Sequence, residues 1–285
     1  MQSVSKLVNL IKLKQNGNNP LHFTGQSEDL GFPKVFGGQV ISQALSAACQ
    51  TVNNRAPHSL HAYFVRPGDV NLSIEYHVEI IRDGRSFSVR QINASQNGKT
   101  ILTMTASFQI EEPDRPHHQV SMPNVPPPEL LSPISELYER HKDEIPEKVR
   151  ERILSPKPIE FRIVEGQNPF RPKHTIAKRH MWIRSVSKLP DDPLIHQCML
   201  AYTSDYGFLE TTLMPHGLSI LQPDLMIASL DHAIWFHRPF RLDEWLLYVA
   251  DSPSAQNARG FVRGEIFNQK GELVASIAQE GMFRL

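Results

Sequence analysis

The sequence has only two cysteines, no net charge and no long apolar run. Cys49 and Cys198 lie one in each half, which gives no disulfide framework and favours two small buried thiols in a reducing compartment. Lys+Arg and Asp+Glu number 30 each, so no global field would hold nucleic acid or an anionic membrane. Residues 1–20 alternate apolar positions with Lys and Asn, as in an amphipathic helix rather than a signal peptide or membrane span. We therefore expect a cytoplasmic protein that does not bind nucleic acid and has no membrane span.

One short motif occurs twice. The segment His61 to Pro67 begins His-Ala and ends Arg-Pro, and it returns as His232 to Pro239, one residue longer. The two His-Ala pairs lie 171 residues apart (232 − 61), and Gly98 and Gly271, each in a turn before a final apolar run, lie 173 apart (271 − 98). Offsets of this size indicate a duplicated domain rather than a solenoid. We expect a functional site where the two halves meet.

Proline is concentrated between Pro113 and Pro172. Because proline lacks a backbone donor and fixes φ, this stretch is unsuited to a central strand or an uninterrupted helix. We therefore predict three regions. They are an N-terminal repeat (1–112), a proline-rich linker with a short helix near 134–150 (113–172) and a C-terminal repeat (173–285).

Each predicted repeat begins with an apolar helix, at 38–52 and at 193–209, and continues with strand-like runs. The runs are 59–64, 72–82, 86–95 and 100–110 in the first repeat, and 225–237, 245–250, 260–268 and 273–283 in the second. A long helix followed by antiparallel strands is an α+β unit in which the sheet wraps the helix. Two such units can join their sheets edge to edge, which covers a vulnerable edge of each.

The second predicted helix carries one carboxylate, Asp205, on an otherwise apolar face. Spacings of three and four residues align it with Tyr202 and Leu209. Removing a carboxylate from water is costly, so a buried Asp needs partners. Two interpretations remain open at this point: a carboxylate satisfied by backbone donors, or one whose environment tunes it for general-base catalysis.

Two polar residues on predicted strands could meet this carboxylate. Ser229 and Gln279 each lie in a run that otherwise looks half-buried, and either one alone could simply face solvent. Together with Asp205 they would supply a carboxylate, a hydroxyl and an amide. That set is sufficient to hold and deprotonate one water molecule.

Motifs of several other mechanisms are absent from the sequence. There is no Gly-x-Ser-x-Gly nucleophile elbow. His58 and His61, or His117 and His118, have no accompanying metal-binding motif, so packing or hydrogen bonding is their favoured role. We predict neither a metal site nor a cofactor.

Several longer segments are distinctive: GQSEDL (25–30), VFGGQV (35–40), YFVRPGD (63–69), RDGRSF (82–87), MTASFQ (104–109), DHAIWFHRPF (231–240) and AQEG (278–281). Together they resemble the bacterial acyl-CoA thioesterase II family across nearly the whole chain, most weakly in the linker. The resemblance implies a double hot-dog fold, hydrolysis of fatty acyl-CoA to free fatty acid and CoA, and a homodimer or homotetramer. The family's catalytic Asp falls on Asp205, its Ser/Thr on Ser229 and its Gln on Gln279. The bacterial pattern usually has Thr at the second position, and Ser229 keeps the hydroxyl.

The mechanism that the resemblance implies is direct attack by water. Asp205 would act as the base, Ser229 and Gln279 would position the water, and backbone N–H groups near a helix start would receive the oxyanion. Two alternatives are kept: a non-catalytic acyl-CoA binding protein using the same groove, and a hot-dog enoyl-CoA hydratase-like enzyme. Hydratases of that kind carry an Asp-x-Asn-Pro-x-x-His arrangement, whereas the segment around Asn168 lacks both the acid and the histidine.

Overall fold

A computed structural model describes residues 3–31, 34–113, 115–166, 168, 170–222 and 224–285. The helices are α1 (Val4–Ile11), α2 (Gly37–Cys49), α3 (Ile134–Arg140), α4 (Glu147–Leu154), α5 (Pro193–Thr203) and α6 (Glu210–Leu213). Short 3₁₀ turns lie at Pro128–Leu130, Lys142–Glu144 and Met214–His216. The strands are β1 (Lys14–Gln15), β2 (His22–Gly25), β3 (Ala56–Phe64), β4 (Ile74–Asp83), β5 (Phe87–Gln96), β6 (Lys99–Gln109), β7 (Ile159–Ile163), β8 (Lys178–Ser185), β9 (Met226–Ser229), β10 (Asp231–Phe236), β11 (Leu246–Gln256), β12 (Arg259–Asn268) and β13 (Leu273–Arg284).

All of these strands belong to one antiparallel sheet. Its order is β1-β2-β4-β5-β6-β3-β10-β13-β12-β11-β8-β7, with β9 paired to β13 outside this path. The two halves join where β3 pairs with β10, with Leu60 opposite Ile234 and Ala62 opposite His232. The prediction of a shared sheet is therefore confirmed, and so is the α+β class.

The strands follow from a period-two burial pattern. In β5, five alternate residues are buried: Ser88, Arg90, Ile92, Ala94 and Gln96. The turn to β6 uses Asn97 and Gly98, both at positive φ (47° and 71°), which is the conformation that a two-residue hairpin requires. The buried faces of the strands of both halves close on α2 and α5, which pack against each other in one continuous core.

The proline-rich segment is more structured than a linker with one short helix. It contains α3 and α4 in place of the single helix predicted near 134–150, and β7 extends the sheet of the second half by pairing with β8. The indole Nε1 of Trp182 donates a hydrogen bond of 2.9 Å to the Pro126 carbonyl. In β11, Leu246 and Tyr248 face the main core while Leu247 and Val249 face a smaller cluster next to this segment. The domain limits 1–112, 113–172 and 173–285 themselves remain predictions.

The two copies of the repeated motif correspond at Arg-Pro, but their His-Ala pairs are shifted by one residue relative to each other. Arg66 and Arg238 are the equivalent positions, because Nη1 of each donates a 2.9 Å hydrogen bond to a backbone carbonyl of the strand beside it, Thr100 and Leu273 respectively. Their offset is 172 (238 − 66), and that of the two carbonyl residues is 173 (273 − 100).

His61 and His232 therefore do not correspond. Successive residues of a strand point to opposite faces, so a change of one residue in offset reverses the facing. His61 lies on the exposed face of β3, whereas His232 is fully buried in β10. With the offset of 172, the residue equivalent to His232 is Leu60.

Among the described residues, none of the helices has both the length and the apolar content needed to cross a membrane.

Candidate active site

The three predicted site residues come from three separate elements of the second half. Asp205 lies in the turn after α5, Ser229 ends β9, and Gln279 lies on β13. The helix α5 begins where Asp192 caps the N–H of Leu194, and it ends at Thr203. Asp205 is thus beyond the helix, and the prediction that it lies on a helical face is wrong. The site is assembled by tertiary packing instead.

The three side chains meet in one hydrogen-bonded group. Nε2 of Gln279 donates to Oδ1 of Asp205 at 2.8 Å and contacts Oγ of Ser229 at 2.7 Å. Oγ of Ser229 lies 3.4 Å from the same carboxylate oxygen. The pairing of β9 with β13, in which Ser229 is opposite Gly281, holds the hydroxyl beside the amide. A carboxylate, a hydroxyl and an amide are therefore within reach of one small molecule.

The first half contributes the start of α2 to this group. The backbone N–H of Gly38 donates to Oδ2 of Asp205 at 2.9 Å. No side chain fits at Gly37, because an added Cβ would lie 2.7 Å from Oδ2 of Asp205 and 2.9 Å from the ring of Phe64. The positive end of the α2 dipole points at the carboxylate and favours its charge. The polar group around Asp205 therefore draws on both halves of the chain.

Burial raises the pKa of Asp205 from its ordinary value of 3.8 to about 6. Hydrogen bonds from Gln279, Gly38 and Ser229 stabilise the charged form, so they limit this rise in the pKa. A carboxylate with a pKa near 6 is ionised at neutral pH, yet it binds a proton more readily than a solvated one. That is the property required of a general base.

A cavity of about 310 Å³ adjoins the group and is lined by both halves. Gly37 and Ser229 form part of its wall. Its apolar lining includes Val35, Val40, Phe64, Ile101, Ile227 and Leu230. Lys34 and Arg66 also line it and carry positive charge. The cavity thus combines an apolar wall, two cations and the Asp205 group.

Two further buried polar residues lie behind the trio and were not predicted. Ser204 and His232 are each fully buried, and Oγ of Ser204 lies 2.9 Å from Nε2 of His232. In the sequence, His232 stands out only in the repeated motif and in the 231–240 segment, and neither indicates a role beside the trio. His58, considered for a metal, lies elsewhere: its Nε2 is 2.8 Å from Oγ of Ser107, and its ring packs edge-on against Phe87.

A helix wrapped by an antiparallel sheet, present twice and joined edge to edge, makes this chain a double hot-dog protein with a polar site between its repeats. A protein from Alicyclobacillus acidocaldarius described as having a hot-dog fold superposes with a TM-score of 0.76, at 21% identity and 98% coverage of both chains. The acyl-CoA thioesterase II of Mycobacterium marinum has a TM-score of 0.79, 37% identity and 98% coverage of both chains.

The family follows from sequence similarity. Residues 26–109 match the family described as "Acyl-CoA thioesterase N-terminal domain", and residues 153–282 match "Acyl-CoA thioesterase". The chain is 42% identical to Acyl-CoA thioesterase 2 of Haemophilus influenzae over 99% of its own length and 98% of that protein. It is 39% identical to human Acyl-coenzyme A thioesterase 8, over 92% and 84%. This chain belongs to the acyl-CoA thioesterase family.

Proposed function

We propose that this protein hydrolyses fatty acyl-CoA to free fatty acid and CoA, and that Asp205, Ser229 and Gln279 carry the reaction. One observation supports this assignment above all. A buried carboxylate with a pKa of about 6 is held by side-chain and backbone donors at the wall of an apolar cavity. Such a cavity suits an acyl chain, and such a carboxylate suits the activation of water.

The proposed reaction begins with a water molecule held by Asp205 and Ser229. Asp205 accepts one proton from the water as its oxygen bonds to the thioester carbonyl carbon. The carbonyl π electrons move to oxygen and form an oxyanion. N–H groups in the first turn of a helix have no intrahelical acceptor, so the Gly37 N–H is the proposed donor to this oxyanion.

The tetrahedral intermediate then collapses. The carbonyl re-forms, the carbon–sulfur bond breaks, and its electron pair leaves with the CoA sulfur, which takes the proton held on Asp205. The products are a carboxylic acid, which ionises, and the CoA thiol. Asp205 returns to its charged form, and no covalent acyl-enzyme is formed.

The test is thiol release from acyl-CoA substrates across a chain-length series. Asp205→Asn keeps the shape of the side chain and removes the base, so kcat should fall by about 10²–10⁴. The matched control is Asp191→Asn, at a carboxylate whose side chain is 94% exposed, and its rates should equal those of the original protein. An Asp205→Asn variant within tenfold of normal kcat would exclude Asp205 as the base.

The same assay separates the alternatives. Binding of acyl-CoA without release of thiol by the unmodified protein would support a non-catalytic binding protein. A covalent acyl-enzyme trapped by rapid quench would support a carboxylate nucleophile in place of direct water attack. Addition of water to an enoyl-CoA, with the thioester left intact, would support the hydratase-like enzyme.

We further infer a homodimer or homotetramer in the cytoplasm. Exposed apolar side chains on and just after β3, Tyr63 at 65% and Val65 at 46%, favour association through the outer surface. Both cysteines are free thiols, as expected in a reducing compartment. Light scattering of the purified protein and fractionation of the source cells test these two inferences, and a monomer or a secreted protein would contradict them.

A further inference from the structure

The amide of Gln279 can work in only one of its two orientations. With Nε2 toward Asp205, it donates at 2.8 Å to Oδ1, and that orientation leaves Oε1 buried behind the site. The flipped amide would place an acceptor oxygen against the carboxylate and remove the donor that keeps the charge stable. Something must therefore hold the amide in the productive orientation.

The imidazole of His232 is placed to do this. Extending the register in which Ala233 is opposite Ala278 brings His232 opposite Gln279 on the neighbouring strand. Nδ1 of His232 and Oε1 of Gln279 are both buried, and neither has a hydrogen-bond partner among the described residues. Burial lowers the pKa of His232 to about 4, and the neighbouring Gln279 side chain partly opposes this effect. The imidazole is therefore neutral at working pH, and one of its nitrogens is a donor.

We propose that His232 is a positioning residue, whose Nδ1–H donates to Oε1 of Gln279 and so directs the amide Nε2 toward Asp205 and Ser229. In this proposed arrangement the Ser204 hydroxyl, 2.9 Å from Nε2 of His232, donates its proton to that nitrogen and leaves the Nδ1 proton for Gln279. The same hydroxyl lies 3.0 Å from the Ala201 carbonyl, to which it would donate in the opposite tautomer, with Nε2–H of His232 donating to Oγ. The role in catalysis rests on the function proposed above.

The first half shows that the fold does not need a histidine here. The equivalents of His232 and Gln279 are Leu60 (232 − 172) and Ala106 (279 − 173), and these two residues are cross-strand partners in the sheet. Both are fully buried. The repeat without the polar trio thus fills this pair of positions with apolar side chains. The fold therefore does not require polar residues at these two positions. The polar pair in the second repeat is explained by its place beside the trio.

The test measures the pKa of Asp205 by carboxyl ¹³C NMR, which does not depend on turnover, together with kcat and KM for an acyl-CoA. The Asp205 charge acts on the titratable groups Tyr206 and Tyr248, while His232 lies next to Gln279; burial raises the pKa of Tyr206 to about 12 and that of Tyr248 well above its ordinary value. Burial lowers the pKa of His232 to about 4, so Asp205 is the member of this set that titrates between pH 5 and 9.

His232→Leu should raise the Asp205 pKa by about one unit, because the oriented amide donor is lost, and lower kcat about tenfold with little change in KM. His232→Asn should keep both values close to normal, because its amide N–H replaces the Nδ1 donor. His61→Leu, on the exposed face of the adjoining strand, is the matched control and should change neither.

An unchanged Asp205 pKa in folded His232→Leu would overturn the proposal, and so would equal changes in the Leu and Asn variants. Ser204→Ala is the second variant in case His232→Leu does not fold. It keeps the imidazole and loses the hydrogen bond that selects its tautomer, so the Asp205 pKa should again rise. A normal pKa in folded Ser204→Ala would also overturn the proposal. If the unmodified protein lacked thioesterase activity, the proposed function would fail while the NMR result still decided the role of His232.

Discussion

The buried carboxylate of Asp205 should make the protein less stable as the pH rises. The folded protein holds the Asp205 proton up to a pH of about 6, whereas an unfolded chain releases it near 3.8. Between these values the folded state binds more protons, so the free energy of unfolding falls with increasing pH. The contribution is fully present below the unfolded pKa and is lost as the pH passes the folded one.

The magnitude follows from the two pKa values. Their separation is about two pH units, and each unit corresponds to about 1.4 kcal/mol, which gives up to about 3 kcal/mol. Asp205→Asn cannot ionise and lacks this dependence. Its own contacts with Gly38 and Gln279 change the free energy by an amount that does not vary with pH. The difference between the two proteins should therefore move by about 2.4 kcal/mol in favour of the Asn variant between pH 4 and pH 7.5.

The assay is urea unfolding of both proteins at several pH values and constant ionic strength. Asp191→Asn serves as the control for loss of a surface carboxylate, since exposed ion pairs contribute little. A stability difference that stays constant within about 0.5 kcal/mol from pH 4 to 7.5 would refute the reasoning. It would mean that the folded protein solvates this carboxylate as well as water does.

Three other substitutions probe the site. Gln279→Ala removes a donor that lowers the Asp205 pKa, so the acid limb of the kcat/KM profile should move to higher pH; an unmoved limb would contradict the hydrogen bond. Ser229→Thr should keep activity within a few-fold in a thiol-release assay while Ser229→Ala loses about 10² or more, and equal rates would exclude a role for the hydroxyl. Gly38→Ala places a methyl group against the Tyr202 carbonyl, so the free energy of unfolding, measured with urea, should drop by about 1–3 kcal/mol. Unchanged stability would contradict the close approach of Gly38 to that carbonyl.

The strand pattern and the grouping of three polar side chains could be predicted because their signals are local or carried by motifs. Alternating apolar positions and the Asn97-Gly98 turn predict the β5–β6 hairpin. Asp205, Ser229 and Gln279 were assigned from polar residues in apolar runs and from a family resemblance, and the structure brings all three together.

Other features depend on contacts that no local signal encodes. The predicted second helix continued through Asp205, but the chain turns after Thr203, and Gly207 adopts a positive φ of 63°. The Gly38 donor comes from a helix 167 residues away in sequence. The His-Ala repeat suggested a wrong correspondence between His61 and His232, because sequence identity does not show which face of the sheet a residue occupies.

Because two unlike repeats lie on one chain and join where β3 pairs with β10, each first repeat always meets the same second repeat. In a dimer of two identical separate repeats, one sequence would have to supply both the carboxylate and the helix N-terminus that donates a hydrogen bond to it. In the fused chain these tasks are divided, with Gly38 in the first repeat and Asp205 in the second. The first repeat can therefore hold apolar residues such as Leu60 and Ala106 at positions where the second repeat holds polar ones. The covalent link between the repeats therefore allows each one to supply a different part of the site.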